Sequence, residues 1–107
     1  MKTKDSSVQI DLLHESMRQV MIAADYIWTK YGEECVITAG REAVDSTGKL
    51  IHSPRSLHPY GKALDFRTRY FTEDIKQKVG NDLRASLGVD YDVILHSSHI
   101  HVEFDSE

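Results

Sequence analysis

Two stretches of this 107-residue chain carry residue types suited to metal chemistry: SLHPYGKALD at residues 56 to 65, and HSSHIH at residues 96 to 101, which holds half of the six histidines. A catalytic zinc takes three nitrogen or oxygen ligands and leaves a fourth position to water, so two histidines and a carboxylate must be able to converge. If the chain between His58 and Asp65 were fully extended, the two residues would stand roughly 23 Å apart, too far to share an ion. The stretch must fold back, and Pro59, Tyr60 and Gly61 supply a turn where one is needed. Gly61 and Ala63 also keep the backbone bare enough for close approach. His99 and His101 are two apart in HIHVEFD, a run with strand alternation, so their side chains leave the same face.

The elements that must position these residues follow from periodicity. Val8, Leu12, Leu13, Met17, Val20, Met21, Ala24, Ile27 and Trp28 recur at three- and four-residue spacing, which predicts an amphipathic helix from Val8 to Tyr31. Asp5, Ser6 and Ser7 are its N-cap candidates, and Gly32 is its stop. CVITAG reads as a short buried strand ending at Gly40. Residues 41 to 62, with Gly48, Pro54, Pro59 and Gly61, read as a loop whose length makes it a functional candidate. KALDFRT returns to strand alternation, with Ala63, Asp65 and Arg67 on one face and Leu64 and Phe66 on the other.

Thr72 is an N-cap, with Glu73 and Asp74 in the first turn, for a second helix through Ile75, Val79, Leu83 and Leu87 that stops at Gly88. YDVILH and HIHVEFD then form an antiparallel pair around the two serines. The fold expected is α+β, one domain over residues 1–107, in which a small, largely antiparallel sheet turns its apolar face to two helices. The other face collects Asp65, His99 and His101.

The two motifs together resemble the zinc peptidases of the LAS group, which joins lysostaphin-type enzymes, D-alanyl-D-alanine peptidases and the zinc domain of hedgehog signalling proteins. The match is to the M15 signature S-x-H-x-x-G-x-A-x-D and to the later H-x-H. It implies a hedgehog/DD-peptidase-like fold in which His58, Asp65 and His101 hold a zinc ion and His99 lies beside the water that the metal activates. The H-x-x-H-x-H spacing is also similar to that of penicillin-insensitive murein endopeptidases, which makes His96 an accessory catalytic residue. VITAGREA resembles the strand-end segment of the family, whose Arg anchors a substrate carboxylate or carbonyl; Arg41 is the matching position. Ser56, at the head of the motif, is a substrate-contact candidate rather than a nucleophile, and Tyr60 lines the cleft or packs on its own turn.

Two positions depart from the pattern. Ser98 stands where the dipeptidase and L-alanyl-D-glutamate branches carry a Glu base, so the proton-transfer role moves to His99. Ala39 replaces the usual Ser before Gly40. The resemblance implies a zinc metallopeptidase acting on peptidoglycan stem peptides or cross-links, of the minimal kind found in a phage endolysin. The alternative is a zinc-stabilised binding module of the same fold without turnover, and a hydrolase cutting a different bond, such as an amidase, is a third reading.

The remaining features are blander. His14 and His52 read as solvated or hydrogen-bonded side chains, and Trp28 and the methionines as core. Glu103 shares the face of His101 and, like Asp105, could orient a ligand imidazole, although solvated strand-end carboxylates are commoner. The one cysteine, Cys35, reads as a small buried hydrophobe. A formal net charge of −4 without long basic clusters argues against a nucleic-acid partner. No stretch approaches the roughly 18 apolar residues of a membrane span. No apolar region follows the N-terminal lysines, so synthesis in the cytoplasm without a signal peptide is expected, with the cell wall as the site of action. A monomer is expected.

Overall fold

The computed structural model describes residues 1–42 and 57–105. Ser56, His52 and most of the expected long loop lie outside the described residues. The elements are β1 (Lys2–Thr3), α1 (Ser16–Lys30), β2 (Val36–Ala39), a 3-10 turn (His58–Tyr60), β3 (Ala63–Arg67), α2 (Glu73–Leu87), β4 (Tyr91–Leu95) and β5 (His99–Phe104). The strands form one five-stranded sheet in the order β1-β2-β3-β5-β4. Only β1 and β2 pair in parallel. The α+β class and the largely antiparallel sheet therefore stand as expected.

The apolar face of the sheet is built by alternation. Leu64 faces Val102 and Phe66 faces Ile100 across β3 and β5, and all four are fully buried. Met17, Val20, Ala24, Ile27 and Trp28 of α1 and Val79 and Leu83 of α2 close over them. Each of the larger side chains among these contributes about 1.5–3 kcal/mol on burial. Trp28 packs its ring 5.5 Å from that of Phe66, and its buried indole N–H donates to the Arg67 carbonyl at 2.9 Å. Cys35 is part of this core, and burial pushes its thiol up to about 12, which leaves it protonated and unreactive.

The second helix is bounded as the sequence predicts, with the Thr72 hydroxyl accepting from the Ile75 N–H and Gly88 at the end with φ +86°. The first helix is shorter than predicted. It starts at Ser16, not Val8, and Asp5 instead accepts a hydrogen bond from Ser7 nearby. The reason is long-range competition for the backbone. Gln9 N–H donates to the Glu42 carboxylate, the Gln9 carbonyl accepts from Arg41 N–H at 2.6 Å, and His14 N–H donates to the Gly61 carbonyl. Leu12, though in phase with the helix, is 83% exposed and takes φ +54° as the chain bends there. The two-residue β1 had no periodic signal to announce it. Among the described residues, no helix is long and apolar enough to cross a membrane.

Residues 9–14 thus run against the two chain segments that carry the His58 turn and the end of β2. Gly40 makes this approach possible, because a β-carbon there would collide with the Gln9 carbonyl. Replacing Gly40 by Ala should cost about 1–3 kcal/mol through forced displacement of residues 9–10. Urea denaturation of the purified variant reads this as a lower midpoint; an unchanged midpoint would mean that the close approach does not exist in solution.

Candidate metal centre

The antiparallel register of β3 and β5 sets the centre. Asp65 stands directly opposite His101, Arg67 opposite His99 and Ala63 opposite Glu103, all on the face away from the helices. His58 arrives from the 3-10 turn, where Gly61 takes the left-handed conformation (φ +71°) and its N–H closes back onto the His58 carbonyl. The fold-back demanded by the spacing is this turn.

Its result is that His58 Nε2, Asp65 Oδ1 and His101 Nδ1 converge. His101 Nδ1 lies 2.8 Å from Asp65 Oδ1, and His58 Nε2 lies 3.2 Å from both atoms. The three residues form a group whose ligand atoms all fall within 4.8 Å of one another. His58 is 2% exposed and the Asp65 side chain 13%, so the donors are drawn into a partly desolvated site.

Tautomer assignment follows from the outer partners. His58 Nδ1 lies 2.9 Å from the Gly40 carbonyl and His101 Nε2 lies 2.8 Å from a Glu103 carboxylate oxygen. Carbonyls and carboxylates only accept, so each outer ring nitrogen carries the hydrogen. In the neutral imidazoles the inward nitrogens are then lone pairs, and they meet a carboxylate oxygen. A proton can bridge such a set only partly; a divalent cation would engage all three donors at once. Two imidazoles and a carboxylate, with the outer N–H groups held, are a donor set that could hold a metal ion.

The proton-loaded alternative leaves its mark on the titrations. Burial alone would raise the Asp65 carboxyl, but hydrogen bonds from His101 and His58 and the charge of the neighbouring histidines prevail and hold it well below the usual carboxylate range. Burial would lower His101, yet its hydrogen bonds to Asp65 and Glu103 outweigh that and raise it. His99 goes the other way: burial lowers it, and the pull of Asp65 does not compensate.

His99 and His96 are beside this centre rather than in it. His99 Nε2 is 3.7 Å from Asp65 Oδ2, and its Nδ1 is 3.4 Å from the Ser98 hydroxyl. His96 is exposed and stacks on His99 with ring centroids 4.6 Å apart, while its N–H closes the hairpin onto the His99 carbonyl at 2.8 Å. Arg41 sits next to Gly40, but its guanidinium is engaged by Asp11, with Nε donating to the Asp11 carbonyl at 3.0 Å and Nη2 3.7 Å from the carboxylate. Tyr60 is 71% exposed on the turn. Ser56 lies outside the described residues. His14 takes its place in the loop before α1, where Nδ1 accepts from the Ser16 N–H and hydroxyl.

Several supporting groups carried no local signal in the sequence. Glu42 is 5% exposed and accepts from Gly40 N–H and Gln9 N–H, holding the strand end that presents a carbonyl to His58. A register shift between Ile37 and Ala39 re-aims that strand end. Lys76 of α2, itself buried, donates to the His96 carbonyl at 3.0 Å and pairs with Glu73, tying the histidine hairpin to the helix. These partners are 20 or more residues from the groups they hold, apart from Glu73 and Gly40, and spacing rules do not reach that far.

Fold and donor set together define an α+β protein with a candidate two-histidine, one-aspartate metal centre. Comparison with protein-family models and with curated proteins returns no match.

Two pH dependences of opposite sign follow. In metal-free protein the contribution of the raised His101 is fully present below about pH 6.5 and is lost as the pH rises through its folded value, so the melting-temperature gap in EDTA between the parent and His101→Ala should narrow as the pH rises from 6. Protons compete with a cation for the same nitrogen, so stabilisation by added zinc should grow over that range and be absent in His58→Ala. Scanning calorimetry with zinc and with EDTA measures both; a zinc shift that survives loss of His58 would remove this residue from the donor set.

Proposed function

We propose that this protein is a zinc-dependent peptidase of the M15 type, hydrolysing peptide bonds in peptidoglycan stem peptides or cross-links. The observation that supports it most is the convergence of His58 Nε2, Asp65 Oδ1 and His101 Nδ1, with both outer imidazole N–H groups already held. When bound, zinc supplies Lewis acidity toward a carbonyl and lowers the pKa of water toward about 7.

The chain's own residues divide the remaining work. His58, Asp65 and His101 hold the ion. His99 stands beside Asp65 on the same sheet face and is shifted toward its neutral form, so it accepts a proton from the attacking water and returns it to the leaving amine. His96, stacked behind His99, limits its movement and is the accessory residue of this reading. Arg41 anchors a substrate carboxylate by exchanging the solvent-exposed carboxylate of Asp11 for that of the substrate. Ser56 and Tyr60 are the remaining substrate-contact candidates.

A second reading, a zinc-stabilised binding module without turnover, is favoured by one observation. Where some branches carry a Glu base this chain has Ser98, whose hydroxyl approaches His99 rather than supplying a carboxylate.

Purified peptidoglycan incubated with the zinc-loaded protein and analysed by mass spectrometry separates the two. The peptidase produces new peptide termini; zinc binding without new termini selects the binding module. His101→Ala should lose both zinc retention and cleavage. His99→Ala should keep zinc and lose turnover by about 10²–10⁴-fold. A His99→Ala protein as active as the parent would take the proton-transfer role away from His99.

A further inference from the structure

Glu103 is a charged group that reaches the far side of the candidate ligand His101. It follows His101 by two residues on β5, so strand alternation puts both side chains on the sheet face that carries Asp65. Its cross-strand neighbour on β3 is Ala63, whose methyl group offers no competing hydrogen bond. From there Glu103 Oε1 accepts the His101 Nε2–H at 2.8 Å, with the Glu103 side chain only 20% exposed.

His58 gives its outer N–H to a neutral carbonyl, that of Gly40, and His101 gives its own to a carboxylate. A charged acceptor makes the stronger hydrogen bond and the more electron-rich ring. Asp92, directly opposite Glu103 on β4, and Asp105 bring two further carboxylates within 4.8 Å of it. Both are exposed, so water screens their charge, and neither is hydrogen-bonded to His101 among the described residues.

We infer that Glu103 is a positioning residue for the metal: it holds His101 by Nε2–H so that Nδ1 is the donor atom turned to the ion, and its charge makes His101 a stronger ligand than a neutral acceptor in its place would. The inference rests on the metal reading above and is independent of whether peptide bonds are cut.

Zinc affinity measured by competition with a chromophoric chelator tests it, using the full chain and four proteins: the parent, Glu103→Ala, Glu103→Gln and Asp92→Asn. Glu103→Ala should weaken zinc binding about 10- to 100-fold. Glu103→Gln, which keeps an acceptor oxygen but not the charge, should weaken it by less, and it serves as the test should the Ala variant fail to fold. Asp92→Asn, which alters the same acidic group without touching His101, should stay within about twofold. In the zinc-loaded parent the His101 Nε2–H should give an exchange-protected proton resonance in NMR, lost in Glu103→Ala; a merely structural role would leave both affinity and resonance in place. Zinc affinities of both Glu103 variants within about twofold of the parent would overturn the inference while leaving the metal centre standing. A parent chain that takes up no zinc would overturn both.

Discussion

Everything around the candidate centre depends on one pairing: Asp65 of β3 directly opposite His101 of β5, with 2.8 Å between their side-chain atoms. An antiparallel ladder allows no partial adjustment here, since a one-residue slip of either strand would turn its side chains to the other face and part Asp65 from His101. The same ladder holds Leu64 against Val102 and Phe66 against Ile100 in the core. Burial of the apolar face therefore locks the register of the polar face, and packing energy on one side of the sheet is what keeps an aspartate and a histidine together on the other.

Holding these groups together has an electrostatic cost. Asp65, His58 and His101 are drawn from water into contact, and without a cation they can satisfy one another only by sharing protons, as the opposite shifts of Asp65 and His101 record. The outer partners make the proton-sharing arrangement compatible with a metal. Gly40 and Glu103 keep the outer N–H groups in place, so exchange of the inner proton for a cation requires no ring rotation. Glu42 and residues 9–14 hold the Gly40 strand end, and Lys76 holds the hairpin that carries His99. Much of the hydrogen bonding near the site thus supports two backbone positions, one on each side of the donor set.

Arg41 shows how a motif position acquires a different partner from the one its neighbourhood suggests. It lies at the strand end beside Gly40, yet its guanidinium is occupied by Asp11, a residue that periodicity had assigned to a helix. The shortened α1 and the engaged Arg41 have one cause. Residues 9–11 exchange helical hydrogen bonds for pairing with Arg41, Glu42 and Gly61 through residue 14, and propensity over so few residues is too weak to resist.

Local pattern by itself determined what depends on neighbours a few residues apart: the Thr72-to-Gly88 helix, the strand alternation that sets Asp65, His99 and His101 on one face, and the turn at Pro59 to Gly61 that the His58-to-Asp65 spacing required. Tertiary structure decided which nitrogen of each histidine faces inward, that Glu103 rather than Asp105 holds His101, that His96 stacks outside the centre, and where the first helix begins. The division has a physical reason. Side-chain direction along a strand or helix repeats with the backbone and is written in spacing. The partner that a ring nitrogen or an unpaired backbone group finds is set by whichever distant segment the folded chain brings within about 3 Å of it.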